Sequence, residues 1–477
     1  MKKITSPQTR SYLIIAIIML FILTIGMACN LLNQGDAPEE PKEEPTLVVN
    51  EEVEEPVQQE EEPVEEAVVE EQPEEEIVEE QPVITSDELY LTGEQGVIVD
   101  ESYVYGVFMV KNPKTDCSYE DAEYVLTAYD DQNQELYTED GYLEVVLPGS
   151  EIGELIYFPD EAQDTHHFEV TLTTGTCSAS DIPVDAISFS NPAFYSEEYW
   201  LRASAHVING LDTYQTDVLV IAVGYDANNN IVAVGSNYVN VLFPDDYSGV
   251  MVTLNRNADA VIDHVEFYGT QTYFTETSID EDFFDTVFLI NDYTGSIQIE
   301  DQTEFVFFLQ NNHETMAATD VEYQVTLLDD NDFVIMVQTG SVDHILPGDL
   351  SPVYLSIYLP EDVTYNSYFI ELLPGEFIEP MFAANPFTAD NYTIDESGWS
   401  PVANFDLTNT APNAVSDLDM VVLLYNVDGL FIGGGKTSTD TINPNSVTNQ
   451  EVYVNIDGTA ETMEVYLVID YWTEVAE

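Results

Sequence analysis

Positive charge is what this chain of 477 residues most conspicuously lacks. Nine Lys plus Arg stand against 91 Asp plus Glu, a formal net charge of −82. Such a surface repels phosphate, so nucleic acid and anionic lipid are excluded as partners. Cysteine is scarce, three in all, too few for a disulfide scaffold or a four-thiolate zinc site. The six histidines include no HExxH spacing, and no glycine-rich phosphate loop follows a strand. Zinc hydrolysis, a nucleophile site and nucleotide binding therefore have no motif to rest on, and an enzyme is not expected. Gly433-Gly434-Gly435 reads as a bulge or loop. Beyond the amino terminus no stretch has the 3.6-residue period of a substantial helix, which makes the class all-β.

Long apolar runs are also missing, with one exception. Lys2, Lys3 and Arg10 precede an uncharged run from Tyr12 to Ala28 that ends at Cys29, and residues 1–29 read as a signal or lipoprotein anchor segment. The Ala28-Cys29 junction resembles the lipobox of bacterial lipoproteins, which implies lipidation of Cys29, although Gly26 and Met27 depart from that pattern. An uncleaved helix and simple cleavage are the alternatives. All three place the remainder outside the cytoplasm, with the membrane as a partner through the amino-terminal anchor. Residues 30–86 form a linker with twenty glutamates between Glu39 and Glu80, interrupted by Pro41, Pro45, Pro56, Pro63 and Pro73. It cannot bury enough apolar surface to order itself. As a flexible coil it would average about 40 Å end to end, and charge and proline extend it further.

What the rest of the chain has is repetition. Tyr129-Asp130, Tyr225-Asp226, Leu328-Asp329 and Tyr425-Asn426 each follow an apolar, β-branched run, and Pro148, Pro244, Pro347 and Pro444 stand nineteen residues after each first residue. The turns recur at intervals of 96, 103 and 97 residues, so four copies of one unit are expected. Asn133, Asn229, Asp332 and Gly429, four residues on, tolerate positive φ and complete a short hairpin loop opened by an Asx-turn. An Asn ends an earlier strand in every copy: Asn112, Asn209, Asn312 and Asn409. The expected architecture is four tandem immunoglobulin-like β-sandwich domains over residues 87–182, 183–278, 279–376 and 377–477, each large enough to bury its own core.

The turn, its strand and the later Leu147-Pro148-Gly149 and Leu346-Pro347-Gly348 resemble the FxLYD domains of prokaryotic surface lipoproteins. The similarity covers about 390 residues on few positions per copy, with Leu328 in place of tyrosine and Asn426 in place of aspartate. It implies an immunoglobulin-like fold and supplies no catalytic residue.

Two candidate sites remain. With Cys29 taken by the export junction, Cys117 and Cys177 are left in an oxidising compartment, and a disulfide between them competes with two buried thiols. Glu276, Asp280, Glu281, Asp282 and Asp285 could hold calcium between the second and third copies, against the simpler reading of a solvated linker. The loop Asp226 to Asn237 fails as an EF-hand because Ile231 occupies the glycine position. These features imply a non-enzymatic, membrane-anchored, extracytoplasmic protein of the cell surface acting in display, adhesion or spacing, with an envelope or extracellular protein or polymer as partner. The alternative is capture of a small ligand, peptide or cation such as calcium.

Overall fold

The computed structural model describes residues 88–100, 103–173, 175–196, 201–258, 260–299, 302–359, 363–396, 400–469 and 473–475. The anchor segment, Cys29 and the glutamate-rich linker lie outside the described residues. Among those described the fold is all-β, with two 3-10 turns, Asp160–Ala162 and Glu281–Asp285, as its only helical elements. Every ladder is antiparallel.

Two three-stranded sheets enclose the first core. An early sheet pairs Tyr103–Lys111 with Tyr90–Asp100 and Glu151–Tyr157, and a turn sheet pairs Glu123–Tyr129 with Glu135–Tyr142 and His167–Thr173. Phe108, Leu126, Phe158 and Phe168 fill the space between them. Alternation decides which residues face inward: along Glu123–Tyr129, Tyr124, Leu126 and Ala128 are buried while Glu123 and Val125 are exposed. The arrangement recurs around Leu201–Asn209 and Gln215–Tyr225, around Gln302–Asn311 and Val321–Leu328, and around Val402–Asn409 and Asp419–Tyr425, each with its own buried cluster.

The four turns are alike in detail. In each the carboxylate or amide oxygen of the second residue accepts two backbone N–H groups: Asp130 from Gln132 and Gln134, Asp226 from Asn228 and Asn230, Asp329 from Asn331 and Phe333, Asn426 from Asp428 and Leu430, at 2.8 to 3.0 Å. Hydrogen bonds from Gln134 and Asn230 hold the Asp130 and Asp226 carboxyls below the usual carboxylate range. Asn133, Asn229, Asp332 and Gly429 take φ of 57°, 61°, 67° and 74°. Twenty residues after the turn, Gly149, Asp245, Gly348 and Asn445 also have positive φ, each directly after its proline, as a type II turn requires.

One side chain per copy ties the end of the early strand to two other chain segments. Asn112, Asn209, Asn311 and Asn409 are essentially inaccessible. The Asn112 amide donates to the carbonyls of Cys117, Val146 and Leu147, and its oxygen accepts Lys114 N–H. Asn311 likewise donates to Met316 at 3.0 Å and Ile345 at 2.8 Å and accepts His313 N–H at 2.9 Å. The third member is thus Asn311 and not Asn312, which is exposed. The physical reason is register: position 311 points into the core and its neighbour points out.

Consecutive sheet pairs stack face to face, the early sheet of one against the turn sheet of the next. Ile98, Val107 and Met109 meet Ile221, Val223 and Val234, and Val306 and Phe308 meet Val421 and Leu423. The approach is close enough to require glycine. A Cβ on Gly96 would lie 2.8 Å from Ile231 Cβ, and one on Gly295 would lie 2.8 Å from Phe431 Cβ.

Replacing Asn311 by Ala removes its hydrogen bonds to the Met316 and Ile345 carbonyls and the acceptor of His313 N–H and should lower stability by about 3 kcal/mol. Asn312→Ala should change it by about 0.5 kcal/mol or less. Calorimetric melting of the two full-length variants separates these outcomes, and equal effects would reject the assignment.

Candidate functional site

The two cysteines sit on a short ribbon at the margin of the first core. Cys117–Glu120 pairs with Thr176–Ala179 so that Tyr119 lies opposite Cys177. A disulfide joins Cys117 to Cys177 across a Cα separation of 5.6 Å. The acidic run is placed differently from a metal cage. Asp280 accepts Asp282 N–H at 3.2 Å and so caps the turn Glu281–Asp285, while Glu276 is pinned through its backbone to Thr216. Phe283 within the turn is buried against Phe377, ring centres 4.9 Å apart. The five residues are not brought together: among the described residues no group of three or more His, Cys, Asp or Glu could hold a metal ion.

Polar groups concentrate instead where the sheet pairs meet. At the second junction the Ser248 hydroxyl donates to Glu371 at 2.5 Å, and Gln324 donates to Ser248 at 2.7 Å and to the Gly249 carbonyl at 3.0 Å. His206 bonds the Asp332 carbonyl at 2.8 Å and Ser204 the Val334 carbonyl at 2.5 Å. At the third junction Glu304, fully buried, accepts from Tyr354, from Ser356 at 3.0 Å and from Asn455 at 2.6 Å. Lys436, the sole Lys or Arg after Arg256, pairs with the buried Asp419 at 2.6 Å. Leaving that carboxylate in place without its partner would be costly.

The same junction holds an open cavity of about 450 Å³. His344, Asp349, Ser351, Phe387, Ala389 and Tyr466 are among its walls. Burial pushes the His344 imidazole down and the Asp349 carboxyl up. His344 Nε2 accepts Met381 N–H at 3.3 Å, which places the ring proton of the neutral form on Nδ1. Such a site can bind a small group; Ser351 Oγ makes no hydrogen bond to His344 or Asp349. Sequence reasoning missed the cavity, whose walls come from three segments, around residues 344–351, 385–389 and 465–469.

A third feature concerns pH. Glu154, half-buried in the first early sheet, accepts the Tyr124 hydroxyl at 3.2 Å, and burial pushes its carboxyl up to about 8. The folded state therefore holds a proton that the unfolded chain has released above pH 4.5. Stability falls as pH rises toward 8 and is constant beyond it.

Two outcomes follow. Reducing the disulfide, which closes a 60-residue separation, should destabilise the first sheet pair by about 4 kcal/mol. A Cys117→Ser, Cys177→Ser double variant whose melting matched the oxidised parent would contradict this. Between pH 5.5 and 9 the parent should lose roughly 1 to 2 kcal/mol more stability than Glu154→Gln, after allowance for partial exposure. Denaturant titrations across that range give the difference, and parallel curves would refute the assignment.

The chain matches none of the protein-family models and none of the curated proteins with which it was compared.

Proposed function

We propose that this chain is a non-enzymatic, extracytoplasmic surface protein: four immunoglobulin-like sandwiches of the FxLYD type, divided near residues 183, 279 and 377, acting in display, adhesion or spacing. Residues 1–29 anchor it to a membrane, with lipidation at Cys29, and the linker of residues 30–86 holds the folded part away from the headgroups. The observation that carries this reading is the stacking of sheet faces. All three junctions combine buried contacts with hydrogen bonds between successive sheet pairs, so the series behaves as one stiff body and not as beads on a string. The surplus of carboxylates supports an exposed, soluble surface that repels its own kind. Capture of a small ligand is the second reading, favoured by the cavity at the third junction.

The spacer role is tested on intact cells. Deleting residues 39–80 should leave the folded part's melting unchanged while reducing binding of an antibody against the first sandwich. Cys29→Ser should move the protein out of the membrane fraction. Unchanged antibody access after the deletion would overturn the spacer reading.

A further inference from the structure

Equivalent positions at the three junctions differ in chemistry. Ile152, Ser248 and Ser351 each pair with the residue two before the buried asparagine, opposite Val110, Val207 and Leu309. In the next turn sheet the residue four before the turn and its cross-strand partner are Ile221 with Tyr268, Gln324 with Glu371, and Val421 with Tyr466. At the first junction the set is apolar apart from one phenol, and at the second Gln324 and Glu371 satisfy the Ser248 hydroxyl. The third sets a serine where its neighbours offer it nothing. Tyr466 gives its hydroxyl to Glu464 at 2.9 Å, and Ser351 Oγ, in a residue 5% exposed, has no hydrogen-bond partner.

That hydroxyl lines the 450 Å³ cavity, as does Asp349. No described hydrogen bond or ion pair reaches the Asp349 carboxyl, whose perturbation comes from burial alone. The Asp349 carboxyl and the Ser351 hydroxyl thus share one cavity with neither side chain partnered. The other walls include Leu346, Phe387, Ala389 and Leu467, apolar groups that could not complete the six to eight oxygen ligands of calcium. His344 is neutral, with its proton on Nδ1, and Lys436 is committed to Asp419.

We propose that this cavity is a binding site for a primary alkylammonium group, whose three N–H donors serve Asp349 and Ser351 while its hydrocarbon chain lies along Leu346, Phe387 and Ala389. An ammonium supplies three N–H donors together with the positive charge that the Asp349 carboxylate lacks. The net charge of −82 draws cations toward the surface and turns carboxylates and phosphates away. The inference stands on the cavity alone and does not depend on the display reading.

Titration calorimetry of the full chain with butylammonium chloride at fixed ionic strength tests it. Saturable binding at one site per chain is expected, with 1-butanol and sodium butyrate giving none. Asp349→Asn should weaken binding roughly tenfold or more, the scale of one charge-assisted hydrogen bond. Ser351→Ala should weaken it several-fold yet melt no lower than the parent, because it removes a buried hydroxyl that has no partner. Absence of saturable heat overturns the proposal. So does equal binding to Asp349→Asn, which would mark counterion condensation on the acidic surface, or equal binding of 1-butanol, which would mark apolar partitioning.

Discussion

Uncompensated negative charge is the constraint from which the other features follow. Residues 87–477 hold 70 Asp plus Glu and five Lys plus Arg, so ion pairing cannot hold this fold together. Cohesion has to come from apolar burial, backbone ladders and neutral side-chain hydrogen bonds. The structure meets that demand with period-2 strands that turn carboxylates to water and with an asparagine amide inside each sheet pair. The buried carboxylates of Glu304 and Glu371 are hydrogen bonded, and that of Asp419 is paired with Lys436.

The asparagine serves a purpose that a charged group could not serve in this protein. Its amide satisfies carbonyls from two separate chain segments while adding no charge to a molecule already strongly repulsive. The oxygen side accepts an N–H two residues on, which fixes the chain as it leaves the strand. A glutamine would carry the same groups on a longer stem, beyond the carbonyls that stand about 3 Å from Asn112 and Asn311.

Local features were legible in the sequence and distant ones were not. The turn can be read because five consecutive residues contain all its chemistry, from the acceptor at Asp226 through the positive-φ residue at Asn229 to the donor Asn230. Asn311 could not be separated from Asn312 by spacing, since the interval to the turn residue is sixteen in some copies and seventeen in others. Only the register of the strand, set by partners some forty residues away at Leu350 and Ser351, decides which amide points inward. The acidic run Glu276 to Asp285 was visible as composition, but the burial of Phe283 against Phe377 is a tertiary outcome. The cavity depends on three strands far apart in the chain, and no window of sequence contains it.

Because each sheet pair presents two different faces, their order along the chain is not interchangeable. If the second pair were copied in tandem, its polar groups at Ser204, His206 and Ser248 would meet the apolar face of Ile221 and Val223, and Ser248 would lose the Glu371 carboxylate it now reaches. A tandem copy of the third would press Phe308 onto Gln324 and Glu371. Lengthening this protein by gene duplication thus demands matched changes on two surfaces at once, and the junctions act as a lock on copy number and sequence of modules.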